Sequence, residues 1–124
     1  DAGNDVIGGG GRGDTLTGGE GADRFVLFAV TDSQANAQRD LVTDFEVGVD
    51  SFDLRRIDGD ESDGDNDALS FIGGAAFSNT AGEVRVTSVG GNTRVQGDTT
   101  GDGSANFEIE LTGAVALTGG DFLF

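Results

Sequence analysis

The stretch that decides the fold is DAGNDVIGGGGRGDTLTGGEGADRFV, residues 1–26. Two kinds of residue recur in it every nine positions: the aspartates Asp5, Asp14 and Asp23, and the apolar residues Ile7, Leu16 and Phe25. Glycines fill the positions between them, and glycine adopts the positive φ that turns backbone carbonyls inward. A flexible linker with scattered acids would not keep both registers in phase. Each unit therefore predicts a glycine turn, an aspartate and a very short strand whose apolar residue stacks on that of the next coil.

The composition of the 124 residues agrees with an acidic, glycine-rich repeat. There are 23 Asp and Glu against 7 Arg, with no Lys or His, and the net charge is −16. Such a charge repels nucleic acid and anionic membranes, so neither is expected as a partner. The absence of His and Cys excludes Ser-His and Cys-His nucleophiles, conventional zinc sites and disulfides, so we expect metal ions to stabilise the fold. No apolar run suits a transmembrane helix, and the first residues lack the features of a cleavable signal peptide.

The repeated unit matches the Ca²⁺-binding nonapeptide G-G-x-G-x-D-x-U-x, in which a glycine turn supplies carbonyl ligands and the aspartate a carboxylate. On these repeats the chain resembles the RTX family, whose repeats wind into a parallel β-roll. The repeat GGEGADRFV (18–26) fits throughout, whereas GGGRGDTLT (9–17) has Arg12 in place of its fourth-place glycine. The first repeat is truncated, so we expect the chain to be the C-terminal part of a longer protein.

The resemblance implies Ca²⁺ ions between loops one full coil apart, which is two nonapeptides. One site would combine backbone carbonyls with two aspartates, using Asp1, Gly3, Asp5, Gly18, Glu20 and Asp23. A second would take the carbonyls of Gly10 and Arg12 with Asp14, closed by Leu27, Ala29 and Asp32. Asp32 follows Asp23 by nine residues and so keeps the register.

The rest of the chain predicts non-repeating strands. Residues rich in β-formers stand at FVLF (25–28), RDLVTDF (39–45) and DSFDL (50–54), and alternating patterns at EVRVTSV (83–89), TRVQG (93–97) and FEIEL (107–111), with GGN (90–92) as a hairpin turn. Residues 31–38 predict either a loop or one helical turn capped by Thr31 or Ser33. The expected fold is all-β: the end of a short parallel β-roll (1–26) continuing into an antiparallel, β-sandwich-like C-terminal cap (27–124).

Three further acidic segments are candidates for metal or catalytic sites. DTTGDG (98–103) resembles the opening of an EF-hand loop, with candidate ligands Asp98, Thr100, Asp102 and Asn106, but Ile109 stands where the bidentate Glu belongs; a Ca²⁺-stabilised loop and a plain acidic turn both stay open. The acidic stretch 58–67 reads as a solvated loop or a metal loop. Asp40, Asp44, Asp50 and Asp53 suggest a catalytic pair only weakly; the resemblance implies that they ligate Ca²⁺ or cap turns, and Asp40 is taken as a candidate ligand.

The end of the chain, LTGGDFLF (117–124), carries an aspartate followed by three apolar residues that are exposed unless they pack as a final strand. It resembles the C-terminal address of proteins exported by type I secretion, which implies recognition through Asp121, Phe122, Leu123 and Phe124. From residue 76 to the end, the chain is similar to the C-terminal domain of serralysin-type secreted metalloproteases. The implied function is a non-catalytic, Ca²⁺-binding module of a larger exported protein, monomeric, secreted without an N-terminal signal peptide and joined to an upstream domain.

Two other functions remain open at this point. One is a carbohydrate-binding repeat module like those of alginate epimerases, and the other is the end domain of an RTX adhesin. Binding an acidic polysaccharide requires a basic stripe, whereas the seven arginines are scattered among acids along the sequence.

Overall fold

A computed structural model describes residues 3–9, 11, 13–35, 38–60 and 68–124, with the backbone only at Thr31. The described residues form short strands and two 3₁₀ turns, Val30–Asp32 and Gly119–Asp121, and contain no α-helix. The strands are β1 (Val6–Ile7), β2 (Thr15–Leu16), β3 (Arg24–Val26), β4 (Asp40–Val42), β5 (Ser51–Asp53), β6 (Ser70–Phe71), β7 (Glu83–Val89), β8 (Asn92–Asp98), β9 (Phe107–Leu111) and β10 (Phe122–Leu123).

The first five strands alternate between two sheets, which is the winding of a β-roll. One sheet has the order β1-β3-β5-β10 with parallel pairing throughout, and the other has the order β2-β4-β9-β8-β7-β6. Val6 pairs with Arg24, eighteen residues on, so the first coil has the length of two nonapeptides. The next coils are longer, because the residues between β3 and β4 include the 3₁₀ turn. The predicted all-β roll is confirmed, and its parallel pairing continues past Val26 into β4 and β5.

The apolar residue of each repeat faces the space between the sheets. Ile7 pairs with Phe25, and Phe25 with Phe52, so the same position is stacked coil upon coil. Phe52 is fully buried, and its ring stacks on that of Phe45 at 4.6 Å. On the opposite sheet Leu16 pairs with Val42. Burying such side chains stabilises the fold by roughly 1.5–3 kcal/mol each, and this packing holds the very short strands in place.

The second half of the chain adds a meander to the six-stranded sheet. β7, β8 and β9 pair antiparallel, as predicted, and the hairpin turns at Gly90 and Gly91, whose φ values of 60° and 86° suit the right-handed twist of the hairpin. β9 then pairs parallel with β4 of the roll, with Asp40 opposite Ile109. One hydrophobic core therefore runs through both halves of the domain.

The segment 31–38 differs from one prediction. Its single turn of helix is the 3₁₀ turn Val30–Asp32, which follows Ala29 and has no side-chain cap. A cap by Thr31 or Ser33 is therefore wrong, because Thr31 lies inside the turn and Ser33 after it. The buried Ser33 hydroxyl donates instead to the carbonyl of Glu108 and accepts the Asp40 N–H at 2.8 Å, which ties the turn to β9 and β4.

The C-terminal residues are packed. β10 pairs with β5, and the Phe122 ring lies 5.8 Å from that of Phe52 and 5.5 Å from that of Phe124. Phe122 is 6 % exposed, so the expectation of three exposed apolar side chains is wrong for this residue. The alternative of a final strand that completes the sheet describes the folded state.

Candidate metal centre

An aspartate stands at the start of each strand of the roll, and its carboxylate bonds the chain of the preceding coil. The Asp5 N–H donates to Asp23 Oδ1 and the Asp23 N–H donates to Asp50 Oδ1, both at 2.9 Å. On the other side of the roll the Asp14 N–H donates to Asp40 Oδ1, also at 2.9 Å. The nine-residue register thus stacks the aspartates into two ladders along the ends of the strands, one per sheet.

Two of these carboxylates each keep one oxygen without a partner. Asp14 Oδ2 and Asp23 Oδ2 are buried and accept no hydrogen bond from any residue that the structure describes. A glycine five residues earlier leaves room beside each: a Cβ added at Gly9 would lie 2.7 Å from Asp14 Oδ2, and one at Gly18 would lie 2.3 Å from Asp23 Oδ2. A buried acceptor with no donor is costly, so these oxygens, repeated at the nonapeptide spacing, are suited to a cation.

The charge around the second ladder is uncompensated. Burial, together with the charges of Asp14 and Asp32, raises the pKa of Asp40 to about 6 despite the hydrogen bond from the Asp14 N–H, which lowers it. In the described part of the chain, the salt bridges of arginine go to Asp53, Glu108 and Glu110 and none to a ladder aspartate. Positive charge for the ladders must therefore come from elsewhere.

The loops of the first predicted Ca²⁺ site are neighbours in space. The Gly3 N–H donates to the Glu20 carbonyl at 2.9 Å, and a Cβ on Gly21 would lie 2.4 Å from the Gly3 carbonyl oxygen. Gly18 lies against the Asp23 carboxylate, as described above, and the Asp5 N–H donates to that carboxylate. Asp1 lies outside the described residues. Turns from successive coils thus lie side by side at this place, and the ligand set of the site stays a prediction.

The second predicted site is described in part, since Gly10 and Arg12 lie outside the described residues. A Cβ on Gly13 would lie 2.9 Å from the Arg39 carbonyl, so the Asp14 turn stacks on the start of β4. Asp32 Oδ2 accepts the Phe28 N–H at 3.0 Å, and Leu27 is buried, donating its N–H to the Asp53 carbonyl at 3.2 Å. Ala29 directly precedes the 3₁₀ turn. The ligand set for this site stays a prediction.

The oxygen atoms of both sites suit Ca²⁺, a hard cation that takes carboxylate and carbonyl ligands. Among the described residues, no three acidic side chains converge closely enough to hold a metal on their own. Any ion here must draw a large share of its ligands from backbone carbonyls, which is the contribution that the glycine turns make.

The loop after β8 satisfies its acids with backbone donors. The fully buried Asp98 accepts the N–H groups of Thr100, Gly101 and Gly103 at 2.7 to 3.1 Å. Asn106 Oδ1 accepts the Thr99 N–H, and Asp102 Oδ1 that of Ser104. These contacts close the turn by themselves, so metal ligation by Asp98, Thr100, Asp102 and Asn106 stays a prediction. Most of the acidic stretch, 61–67, lies outside the described residues.

The aspartates of the possible catalytic pair accept hydrogen bonds within the fold. Asp44 accepts the N–H groups of Gly18 and Gly19 at 2.8 and 2.7 Å, and the second oxygen of Asp50 accepts that of Glu46. A hydrogen bond from Arg55 lowers the pKa of Asp53. Asp50 is a ladder member that a coil of two nonapeptides misses, because it stands 27 residues, or three nonapeptides, after Asp23. Its place in the nine-residue register, directly before a strand, is the signal that finds it.

Comparison with known proteins agrees with this geometry. Residues 2–124 match the family model described as Peptidase M10 serralysin C terminal. The chain belongs to the serralysin C-terminal family. Among solved structures, it resembles the AlgE6R2 subunit of the mannuronan C5-epimerase from Azotobacter vinelandii, at 30% identity and a TM-score of 0.64, covering 96% of this chain and 70% of that one. The AlgE6R3 subunit of the same enzyme shares the fold at 20% identity and a TM-score of 0.54, covering 99% and 79%. No curated protein matches in sequence.

Membership of the serralysin C-terminal family sets the class of molecule. The family is one of RTX-type, Ca²⁺-binding β-roll modules at the C-terminus of secreted proteins, and the module is distinct from a catalytic domain. No helix in the described ranges has the length and hydropathy to span a bilayer.

Proposed function

We propose that this serralysin C-terminal domain is a non-catalytic module that folds on binding Ca²⁺ and carries the type I secretion signal of a larger exported protein, a serralysin-like protease. The observation that supports Ca²⁺-coupled folding is the pair of buried, unpartnered oxygens, Asp14 Oδ2 and Asp23 Oδ2, each beside a glycine turn. Bound Ca²⁺ would supply the positive charge and the oxygen coordination that these atoms lack.

The physical basis is the cost of the fold without the ion. Stacking the coils places Asp14 near Asp40 and buries two of the three aspartates of the first ladder, Asp23 and Asp50. Like charges held together in a low-dielectric interior oppose folding. At cytosolic Ca²⁺ levels this repulsion favours an unfolded chain, which suits passage through an export channel. Outside the cell, sites with a Kd of about 10⁻⁴ to 10⁻³ M fill, and their binding free energy adds to folding.

A titration followed by circular dichroism tests Ca²⁺-coupled folding. We expect the β-sheet signal to rise with Ca²⁺ and to disappear on adding a chelator, while equal Mg²⁺ gives little change, because Mg²⁺ dehydrates reluctantly and demands an octahedral site. The same β signal with and without chelator would overturn the proposal.

The secretion part of the proposal concerns the C-terminus. Deleting Asp121, Phe122, Leu123 and Phe124 should block export by a type I system. The deletion also removes β10 and the Gly48 N–H bond to Asp121 Oδ1, so a second variant is needed. Phe124→Ser keeps β10 and removes only the ring that stacks on Phe122, so we expect it to reduce export strongly while the Ca²⁺ midpoint of folding shifts little. Normal export of the deletion would contradict a terminal address.

A second candidate function is binding of an acidic polysaccharide. The observation in its favour is the likeness to AlgE6R2, a subunit of an enzyme named for mannuronan. Calorimetry with mannuronate oligomers at fixed Ca²⁺ tests it, and saturable binding is the expected result. Absence of heat at millimolar ligand would remove this candidate and leave Ca²⁺-coupled folding untouched.

A further inference from the structure

The outer face of the four-stranded sheet holds a pocket whose charge is opposite to that of the whole chain. Arg24 on β3 and Arg55 and Arg56 after β5 line a cavity of about 450 Å³. The parallel pairing of β3 with β5 brings these arginines together, although about thirty residues separate them in sequence. Arginines that are scattered in the sequence are thus neighbours at this place, because the coil, and not the sequence distance, sets which residues lie side by side.

Asp53 is the one carboxylate among the described residues that line the pocket, and two of the three arginines lie beside it. Asp53 receives two bonds from Arg55, Nε to Oδ1 at 3.0 Å and Nη2 to Oδ2 at 2.8 Å. The same carboxylate forms an ion pair with Arg24 Nε at 3.6 Å, which is too far for a hydrogen bond, and this buried nitrogen donates no hydrogen bond to any described residue. Arg56 lies over the ring of Phe28 at 5.1 Å. Among the described lining residues the charges sum to an excess of positive charge, on a chain whose net charge is −16.

The pocket also presents apolar surface to solvent. Val6 is 63% exposed and Phe28 52% exposed, and both line the cavity beside the arginines. Val6 is placed there because it pairs with Arg24 in the sheet, so both side chains point away from the core. An apolar floor with a few convergent polar groups, in a cavity of this size, is typical of a small-ligand site.

We propose that this pocket binds the carboxylate of an acidic sugar, with one uronate residue seated at a time. Guanidinium groups match the two oxygens of a carboxylate. The Arg24 Nε–H has no hydrogen-bond acceptor among the described residues, so a ligand carboxylate could supply one. The exposed Val6 and Phe28 offer apolar contact to the C–H face of a sugar ring. The choice of a carboxylate rests on the arginines, and the choice of a sugar rests on the second candidate function above.

Calorimetry on the Ca²⁺-loaded chain tests the pocket with three probes: a mannuronate hexamer, a neutral mannose hexamer of the same length and a glutamate hexapeptide. We expect saturable binding of the mannuronate alone, weakening as salt is raised. Equal binding of the neutral hexamer would overturn the role of the arginines. Equal binding of the peptide would overturn the choice of a sugar.

Charge-matched variants locate the binding. Arg24→Gln and Arg56→Gln should each weaken binding about tenfold, the lower end for one charge-assisted hydrogen bond. Arg85→Gln removes the same charge from β7, where Arg85 bonds Gln96 and lies over Phe77, and should change affinity little. Equal losses in all three variants would show a general charge effect and overturn the site. Each variant is first checked for an unchanged Ca²⁺ midpoint of folding.

Failure of this inference is separable from failure of Ca²⁺-coupled folding. If the chain proves folded in chelator, the same titrations are run without Ca²⁺, because the pocket contains none of the proposed metal ligands. Absence of mannuronate binding to a fully folded chain then counts against the pocket alone.

Discussion

Replacing Asp23 by asparagine should have opposite effects on stability with and without Ca²⁺. The Asp23 side chain is 2% exposed, its Oδ1 accepts the Asp5 N–H at 2.9 Å, and its Oδ2 has no partner. The asparagine carbonyl can keep the bond to Asp5, while its NH₂ group takes the place of Oδ2. The substitution therefore removes a buried charge and a proposed ligand while it preserves the shape of the site.

The size of each effect follows from the two environments. Without Ca²⁺, a buried and unsatisfied charged oxygen costs more than the roughly 1–3 kcal/mol of a neutral group. The NH₂ group of asparagine is neutral, so Asp23→Asn should raise the free energy of unfolding by about 1 kcal/mol even though that group is also unpartnered. With about 10 mM Ca²⁺, roughly ten to a hundred times the Kd of an extracellular-type site, one site contributes about 1.4–2.7 kcal/mol, and the variant should lose most of it. The sign of the change should thus reverse between the two conditions.

Urea unfolding followed by circular dichroism measures both values. Sucrose is added equally to all samples so that the ion-free fold is populated in chelator. Asp50→Asn is the matched control, because both Asp50 oxygens accept backbone N–H groups, from Asp23 and Glu46. One of those donors then faces an NH₂ group, so this variant should lose about 1–3 kcal/mol at either Ca²⁺ level.

Two outcomes would contradict the proposed role of Asp23 as a Ca²⁺ ligand. If Asp23→Asn destabilises the chain equally in Ca²⁺ and in chelator, Asp23 is a structural residue like Asp50. If it changes stability in neither condition, its Oδ2 is not a costly buried acceptor. Either result removes the observation that supports the Ca²⁺ site.

Other predictions test the ladders and the cap. In chelator with sucrose, the raised pKa of Asp40, about 6 against 3.8 in an unfolded chain, adds stability below pH 4 that is lost as the pH rises towards 6; Asp40→Asn should flatten this profile in urea unfolding, and an unchanged slope would contradict it. Gly18→Ala, whose Cβ would meet the unpartnered oxygen described above, should raise the Ca²⁺ midpoint at least several-fold, whereas Gly11→Ala, with nothing within 4 Å, should not; equal midpoints would argue against the glycine turn as a metal cradle. Gly97→Ala would place a Cβ 2.0 Å from the buried ring of Phe107 and should lower the free energy of unfolding by about 1–3 kcal/mol; wild-type stability in Ca²⁺ would show that the ring is free to move.

The sequence alone determined the roll and the spacing of the first three aspartates of its ladders. Its period of nine places Asp5, Asp14 and Asp23 at the strand starts, and it aligns Ile7 with Phe25 between the sheets. A repeat can be read this way because each unit contacts the unit one coil away, so that sequence spacing is also spatial spacing. The antiparallel meander could also be predicted, from the local alternation of apolar and polar residues.

Only the tertiary structure decided what the longer, unrepeated connections bring together. It placed Asp50 above Asp23 and seated Phe122 on Phe52. It also gathered Arg24 with Arg55 around one carboxylate. The two-nonapeptide coil does not predict these contacts, because the coils beyond the first are longer and each pairing is set by which apolar faces can be buried together in one core.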